Sequence, residues 1–196
     1  MRKYLQMTLL ADDASGISTP VLMCDVIERL HHLFVRIKND DGFITVGISF
    51  PGYDEKNMTM GSLVRLFGQE KELNDLQVRK NLMSIADYVH VSDPRIIPAP
   101  KVNGYVAYSR IRHDHNKDKL VRRKMKRHGL TNKEAEVAYA EYKRRSFPNH
   151  PFVLIRSKST GDQKYPLYFK RVLLNEPGLF RFNTFGINPF AGVENF

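Results

Sequence analysis

The sequence contains a single cysteine, Cys24, and no tryptophan in 196 residues. One cysteine excludes a disulfide within the chain, and it excludes a zinc site built from several cysteines. No run approaches the ~20 apolar residues that a membrane-spanning helix needs, and the apolar stretch near the N-terminus is too short for a secretory signal. We therefore expect a cytoplasmic protein that does not enter a membrane.

The motifs of several enzyme classes are also missing. The sequence has no His-Glu-x-x-His metal motif, no paired carboxylates, no Walker A loop and no Gly-x-Ser-x-Gly elbow. His113 and His115 have the spacing of two metal ligands, but no third ligand is nearby and the basic surroundings would repel a cation. The residues therefore predict no metal site and no cofactor, so any catalysis would be metal-independent.

Basic side chains are abundant, and they are concentrated in one segment. Nine of the 31 lysines and arginines lie in the 19 residues from Arg110 to His128, opposed there only by Asp114 and Asp118. Without this segment the formal net charge falls from +10 to +3. An excess confined to one segment predicts a surface that binds a polyanion, because charges that serve only solubility would be spread over the protein.

The basic segment has the pattern of an amphipathic helix from about Asn116 to His128. Val121 and Met125 fall on its apolar face. The opposite face carries Lys119, Arg122, Arg123, Lys126 and Arg127. Nucleic-acid phosphates are the natural ligand of such a face, and binding should weaken steeply with salt. Charge alone does not distinguish DNA from RNA, because an arginine-rich helix can enter a DNA major groove or the opened groove of an RNA hairpin.

Two further arginines precede the helix. Arg110 and Arg112 lie two residues apart on a predicted strand, so their side chains project to the same side. Guanidinium groups placed in this way can make bidentate contacts to guanine edges, which lysine cannot reproduce. These two arginines are therefore candidates for reading bases, whereas the helix is a candidate for binding phosphates.

The first half of the chain has the element order β-α-β-β-α-β. Its strands are predicted at Lys3–Leu10, Phe43–Phe50, Ser62–Phe67 and between Tyr88 and Ile97. One helix begins at Ser18, a hydroxyl N-cap followed by proline, and another spans Lys71–Ile85. This order is that of a ferredoxin-like unit. Pro98-Ala99-Pro100 punctuates its end, so we expect one domain over residues 1–98 and a second over 99–196.

The second half of the chain mixes strands with two helices. Its strands are predicted at Tyr105–Arg112, Phe152–Arg156, Leu167–Val172 and Leu179–Phe185. Gly129 would end the basic helix, and a capping box at Thr131 and Glu134 predicts another helix reaching about Arg145. The predicted fold class is α+β: an N-terminal ferredoxin-like domain plus a C-terminal α/β domain with the arginine-rich helix.

Two adjacent histidines in the first predicted helix differ in position. His32 points away from the apolar stripe and should be solvated, whereas His31 lies at the edge of the stripe and should be half-buried. A half-buried histidine can have a shifted pKa and a fixed ring orientation. From this position alone, a boundary residue without a catalytic role is the more common interpretation.

Several segments, taken together, resemble one protein family. In chain order they are KYLQMTLL, LMCDVIERLHH, VGISFPGYDE, SRIRHDHNKDKLVRRKMKRHGLTNKEA, PFVLIRSKSTG with YPLYFKR, and FNTFGI. They resemble the CRISPR precursor-RNA processing endoribonucleases of type I-F systems over nearly the whole chain. The most specific pieces are SR-x-R before the arginine-rich helix and RSxSTG after it.

This resemblance implies an activity and partners. The family binds the stem-loop of the CRISPR repeat and cuts once at the base of its 3′ side. The 2′-hydroxyl attacks the adjacent phosphate without a metal, leaving a 2′,3′-cyclic phosphate and a 5′-hydroxyl. The enzyme keeps the mature crRNA and joins other subunits of the crRNA-guided surveillance complex. The resemblance thus implies an RNA-binding protein that is a monomer when free and needs no cofactor.

The resemblance also implies roles for individual residues near the cut. His31 matches the catalytic histidine, a general acid–base group. Ser157 matches the serine that holds the reacting ribose at its 2′-hydroxyl. Arg110 matches a residue that reads a guanine near the base of the stem. Arg112 stands where better-known members carry glutamine, which leaves its preferred base open.

Further RNA contacts are implied along the second half of the chain. Tyr165 fits the aromatic residue that stacks under the terminal base pair, if one extra residue sits in the preceding loop. Ser159 and Thr160 match a loop that contacts the RNA around the cut. The helix inserted into the RNA groove is matched by Arg122, Arg123, Lys126 and Arg127, with His128 following and Lys119 on the same face.

One position departs from the family pattern. The family often places a tyrosine hydroxyl beside the active site, before Gly-Leu-Ser, whereas this chain has Phe185-Gly186-Ile187-Asn188. Phe185 can keep the ring packing but cannot donate a hydrogen bond. Either the hydroxyl is dispensable, which we favour, or another group orients His31, or turnover is slower.

Two other functions are also compatible with the sequence. A non-catalytic cap subunit that only binds the crRNA hairpin would keep every arginine and would suit Phe185. A DNA-binding regulator could use residues 116–145 as a helix-turn-helix, but this leaves the N-terminal half and RSKSTG without a role.

Overall fold

The computed structural model describes residues 1–12, 16–111, 117–142, 150–157 and 163–196. The chain divides into two compact units, one formed by Met1–Ile111 with Asn149–Phe196 and the other by Arg112–Pro148. Two antiparallel sheets belong to the first unit, and helices accompany them, which confirms the α+β class. One sheet precedes Pro98 and the other follows it, yet both lie in one compact unit. The domain boundary at residue 98 stays a prediction.

The first sheet has the strand order of the predicted ferredoxin-like unit. Its strands are β1 (Arg2–Leu9), β2 (Gly47–Ser49), β3 (Leu63–Gln69), β4 (Val89–Val91) and β5 (Arg95–Ile96). The order is β2-β3-β1-β4, with β5 also pairing with β1, and all these pairs are antiparallel. Strand β2 is shorter than the predicted Phe43–Phe50 and lies at an edge of the sheet.

The second sheet contains β6 (Tyr105–Ile111), β7 (Phe152–Ser157), β8 (Gln163–Leu174) and β9 (Val193–Glu194), in the order β7-β8-β6-β9. The predicted strand at Leu179–Phe185 is wrong, and β9 takes the place beside β6. Only Phe182 of that segment makes a β-type pair, with Ile44, and a turn at Asn183–Gly186 follows directly. The turn prevents the chain from continuing as a strand.

Helix α1 (Thr19–Ile37) buries the apolar stripe predicted for it. The buried residues are Leu22, Met23, Val26, Ile27, Leu30, Leu33 and Phe34. Ile37, the last residue of the helix, is 43% exposed. Ser18 is the N-cap residue, but its hydroxyl makes no capping hydrogen bond, so Pro20 in the first turn is the effective start signal.

The second helical region is broken where the sequence predicted one helix over Lys71–Ile85. It consists of α2 (Glu70–Asp75), α3 (Val78–Asn81) and a 3₁₀ turn at Met83–Ile85. Gln77, between the first two pieces, has left-handed dihedrals of φ 47° and ψ 46°. A right-handed helix cannot pass through that conformation, so the region folds as short pieces.

Buried contacts join the two sheets and α1 into one core. Helix α1 contacts β1 of the first sheet and β7 of the second. The Tyr108 hydroxyl accepts a hydrogen bond from the Phe50 amide at 3.1 Å and donates to the Phe50 carbonyl at 3.2 Å. The Tyr53 hydroxyl donates to the carbonyl of Phe169 at 2.9 Å. These bonds attach the loop that follows β2 to strands β6 and β8.

The second unit contains α4 (Lys117–His128) and α5 (Asn132–Val137). Gly129 has a φ of 64° and donates its amide to the Met125 carbonyl at 2.8 Å, which confirms it as the helix-ending glycine. The capping box of Thr131 and Glu134 is confirmed at the start of α5. Helix α5 ends well before the predicted Arg145, because the next amides bond carbonyls three residues back and form turns.

In the part of the chain that the structure describes, no helix combines the length and the apolar character needed to cross a membrane.

We expect Tyr108→Phe to lower the free energy of unfolding by about 1–3 kcal/mol, because it leaves the buried Phe50 amide without a partner. Chemical denaturation measures this change. Tyr105→Phe is the matched control on the same strand, since its half-buried hydroxyl makes no hydrogen bond to the described residues. Equal stability of the two variants would contradict a role for the Tyr108 hydroxyl.

Candidate active site and nucleic-acid interface

His31 lies in the second half of α1, where the buried stripe of the helix determines its direction. Its neighbours Leu30 and Phe34 are buried in the core, and His31 itself is half-buried, as the sequence predicted. His32 is also partly buried, so the prediction that it is solvated is wrong; its ring centre lies 5.9 Å from that of His31. Helix packing thus presents the His31 ring at a partly open surface.

A backbone carbonyl holds the His31 ring through one nitrogen. His31 Nδ1 lies 2.7 Å from the carbonyl oxygen of Thr184, which belongs to the turn after Phe182. A carbonyl can only accept a hydrogen bond, so Nδ1 must carry the proton. In the neutral ring this leaves Nε2 with a free lone pair. The geometry therefore assigns Nε2 as the nitrogen that can exchange a proton with a substrate.

The ring of Phe185 covers one face of His31. The two ring centres are 4.0 Å apart and the planes differ by only 5°, a parallel stack. The role of Phe185 in active-site packing stays a prediction, and the structure places its ring against that of His31. The missing tyrosine hydroxyl does not leave His31 without an orienting hydrogen bond, because the adjacent Thr184 carbonyl supplies one.

The environment of His31 lowers its pKa below the ordinary value. Burial is the largest cause, since it disfavours the charged imidazolium. The Thr184 hydrogen bond opposes this effect, whereas the positive charges of His32 and Arg110 add to it and Glu28 weakly counteracts it. His31 is therefore neutral near pH 7 and able to accept a proton.

Arg110 on β6 and Tyr165 on β8 lie close to each other on the second sheet. Arg110 is exposed toward the end of β6, and its guanidinium carbon lies 5.5 Å from the centre of the Tyr165 ring on β8. Its positive charge also contributes to the lowered pKa of His31. The site thus combines a neutral imidazole, a guanidinium group and two aromatic rings, a set suited to a phosphodiester and a base.

The other predicted residues of the cut site are only partly described. Ser157 is the last residue of β7, where its backbone pairs with Gln163, and β7 is the strand of the second sheet that packs against α1. Only the backbone of Ser157 is described. Arg112, Ser159 and Thr160 lie outside the described residues, as do His113 and His115. Their roles stay predictions.

The second unit displays the predicted basic face on α4. Val121 is buried and Met125 is half-buried on the opposite side of the helix. Exposed side chains form the basic face: Lys119, Arg122, Arg123, Lys126, Arg127 and His128. Within this unit Lys124 lies 5.5 Å from the centre of the Tyr139 ring. The exposed face concentrates positive charge, so the prediction that it binds phosphates stays open.

Sequence reasoning did not identify Asn183 and Thr184 as part of the site. Thr184 acts through its backbone, which leaves no signature in residue type. Asn183 precedes Gly186 in a pattern typical of side-chain-stabilised turns. That pattern indicates a turn, but only the tertiary structure places the turn against His31.

We expect nuclear magnetic resonance to find a titration midpoint for His31 below 6.5, the ordinary histidine pKa. Because the folded pKa is lowered, neutral His31 contributes stability above pH ~6.5, and this contribution is lost as the pH falls through the lowered pKa. His31→Asn should remove this part of the pH dependence of unfolding. A midpoint at or above the ordinary value would contradict the buried site.

Known proteins resemble this chain in both sequence and length. The family model described as CRISPR-associated protein (Cas_Csy4) matches residues 4–196. A Pseudomonas aeruginosa (strain UCBPP-PA14) protein named CRISPR-associated endonuclease Cas6/Csy4 is 31% identical over 76% of this chain and 75% of its own. An Escherichia coli (strain UTI89 / UPEC) protein of the same name is 28% identical over 100% of both chains. Since the family model covers nearly the whole chain, the chain belongs to the Csy4 family of CRISPR-associated proteins.

Proposed function

We propose that this protein is a metal-independent endoribonuclease that binds the stem-loop of a CRISPR repeat and cleaves it at the 3′ base of the stem. The observation that carries the proposal is the state of His31, whose Nδ1 is bound to the Thr184 carbonyl while burial lowers its pKa and leaves Nε2 able to accept a proton. The related proteins are named endonucleases, which supports the same class of activity. The retained product would be mature crRNA, and other surveillance-complex subunits would be the protein partners.

In the proposed reaction, phosphorus exchanges its bond to the 5′-oxygen of one nucleotide for a bond to the 2′-oxygen of the preceding nucleotide. The 2′-oxygen forms a bond to phosphorus while the bond from phosphorus to the 5′-oxygen breaks. The products are a 2′,3′-cyclic phosphate and a 5′-hydroxyl. The 2′-hydroxyl loses one proton and the 5′-oxygen gains one, so the protons balance. Nε2 of His31 accepts the first proton, and the resulting imidazolium can donate a proton to the leaving oxygen.

The lowered pKa of His31 suits this role at neutral pH. A neutral imidazole is ready to act as the base, and the bond from Nδ1 to Thr184 remains when Nε2 is protonated. Ser157 would hold the reacting ribose so that the 2′-oxygen lies in line with the scissile bond. Such positioning can contribute as much to the rate as the proton transfer itself.

RNA recognition would be divided between the two compact units. In the first, Arg110 would read a guanine near the base of the stem and Tyr165 would stack under the last base pair, with Arg112, Ser159 and Thr160 contacting nearby RNA. In the second unit, the exposed basic face of α4 would bind phosphates along the stem. Affinity would come mainly from α4, whereas the cleavage would depend on His31.

A second candidate function is a non-catalytic cap that binds the same crRNA hairpin. The observation that favours it is Phe185, which cannot supply the tyrosine hydroxyl. The hydrogen bond from His31 to Thr184 weakens this argument, because it provides an orienting contact that does not need the hydroxyl. The two functions differ in one measurable property, cleavage of bound RNA.

We expect the protein to cleave its cognate repeat RNA in EDTA and to leave intact a copy with a 2′-deoxy substitution at the cut. The reason is that the attacking nucleophile is the 2′-hydroxyl and no metal takes part. End-group analysis of the product should find a cyclic phosphate. Binding without cleavage of the unmodified RNA would contradict the enzyme and favour the cap; preference for duplex DNA would contradict both.

The same experiment with His31→Ala separates catalysis from binding. This variant should lose cleavage and keep nearly the same affinity, because the phosphate contacts lie elsewhere. If it loses affinity to the same extent as activity, His31 has a structural role and its assignment as the proton-transfer group is wrong.

We expect Arg123→Ala to reduce the slope of log affinity against log salt by about one unit or slightly less, because one phosphate contact is lost. Titration of repeat-RNA binding at several salt concentrations measures the slope. Lys71→Ala is the matched control: Lys71 is also exposed and basic, but it pairs with Asp75 on α2. An unchanged slope in Arg123→Ala would mean that this face of α4 does not contact RNA.

A further inference from the structure

We infer that Asn183 is a positioning residue of the proposed cleavage site, because its side chain holds the peptide group that fixes the tautomer and direction of the His31 ring. The inference rests on the proposed function for its catalytic consequence. Its structural part, the control of the His31 tautomer, can be measured on the free protein.

The side chain of Asn183 closes the turn that reaches His31. Its Oδ1 accepts the amide of Phe185 at 2.8 Å and lies 3.4 Å from the amide of Ile187, a longer second bond. The backbone of the same residue also takes part: its carbonyl accepts the Gly186 amide at 2.8 Å and its amide donates to Ile187 at 3.1 Å. Asn183 therefore stabilises the turn through both its side chain and its backbone.

A single planar peptide group connects Asn183 to His31. The amide of Phe185 and the carbonyl of Thr184 belong to the same peptide bond, which is planar and nearly rigid. The amide end of this group donates to Asn183 Oδ1, and the carbonyl end accepts from His31 Nδ1 at 2.7 Å. A hydrogen bond at one end of an amide also polarises the other end. The Asn183 side chain thus sets both the direction and the strength of the acceptor that meets His31.

Backbone hydrogen bonds attach the two ends of the turn, one to Ile44 before β2 and the other to Ile48 in β2. Phe182 and Ile44 exchange two backbone hydrogen bonds of 2.8 and 2.9 Å, and the Gly186 carbonyl accepts the Ile48 amide at 2.9 Å. Gly186 also packs closely, since a Cβ there would lie 3.1 Å from atoms of both Ile48 and Phe34. Between these anchors the Thr184–Phe185 peptide has the Asn183 side chain as its amide partner.

Loss of the Asn183 side chain should therefore change the tautomer of His31 while leaving the fold intact. Without the Asn183 acceptor, the peptide can rotate between its two anchored ends and weaken the bond to Nδ1. The His31 proton is then free to move to Nε2, where it blocks the base proposed for catalysis. The core residues that bury α1 are not altered by the change.

Asn183→Ala is the direct test, with Asn188→Ala as the matched control. Asn188 makes the same type of bond in the same segment: its Oδ1 accepts the Phe190 amide at 3.0 Å and its Nδ2 donates to the Arg181 carbonyl at 2.7 Å. In single-turnover cleavage of repeat RNA, Asn183→Ala should be slower by about 10- to 100-fold with affinity unchanged within about twofold. Asn188→Ala should cleave at the unaltered rate.

Nitrogen-15 resonances of the His31 ring supply a readout that a purely structural role would not move. In the RNA-free protein, the unaltered chain should show Nδ1 protonated at neutral pH, and Asn183→Ala should show a gain of the form protonated on Nε2. An unchanged tautomer in a folded Asn183→Ala protein would overturn the inference. So would parallel losses of cleavage, RNA affinity and thermal stability, which indicate a structural role alone.

Asn183→Asp tests the same contact by rescue. Aspartate can accept the same two amides, so cleavage should be retained, but its negative charge should shift the pH–rate profile of His31 upward. The other charged groups that influence His31, namely Glu28, His32 and Arg110, are the same in both proteins. A profile that does not move, or activity as low as in Asn183→Ala, would contradict the contact.

The tautomer measurement distinguishes a failure of this inference from a failure of the proposed function. If the unaltered protein does not cleave its repeat RNA but Asn183→Ala still changes the His31 tautomer, the proposed function fails and the positioning contact stands. If cleavage occurs and neither the rate nor the tautomer responds to Asn183→Ala, the positioning inference fails alone.

Discussion

The packing of α1 between the two sheets is the constraint on which the candidate site depends. The helix contacts β1 through one part of its surface and β7 through another, and seven of its side chains are buried. These contacts leave little freedom to rotate the helix about its axis, so the direction of His31 follows from burial of its neighbours. A side chain placed in this way needs only a local contact to fix its ring, and the turn at Thr184 provides it.

The structure separates the exposed positive charges of α4 from His31, the proposed acid–base group. The basic face of α4 is exposed and belongs to one compact unit, whereas His31 is half-buried in the other. Exposed lysines and arginines keep their charge and meet phosphates at low desolvation cost. The proposed acid–base group has the opposite environment, because partial burial lowers the pKa of His31 and keeps its imidazole neutral and able to accept a proton. The two requirements explain why the most charged segment does not contain the proposed catalytic group.

Sequence patterns formed by residues a few positions apart predicted much of the fold. The stripe on α1, the helix-ending Gly129 and the Thr131 capping box depend on residues a few positions apart, and the structure contains all three. The element order of the first sheet also followed from strand and helix periodicity. The strand predicted over Leu179–Phe185 does not form. The alternating aromatic residues of this segment pack against the core, and Phe182 is the one residue of the segment that makes a β-type pair. The second helix is interrupted at Gln77, because this residue has a left-handed backbone conformation that no sequence pattern predicts.

The sequence by itself determined the concentration of positive charge in one segment, the α+β element order and, through the family resemblance, the candidacy of His31, because charge, periodicity and motif are properties of the chain. Only the tertiary structure decided how His31 is held. The hydrogen-bond acceptor of His31 is the backbone carbonyl of Thr184, 153 residues away along the chain. Asn183 holds that carbonyl in place through the Thr184–Phe185 peptide group. Backbone groups are the same at every position, so a contact made through them becomes visible only when folding brings the segments together.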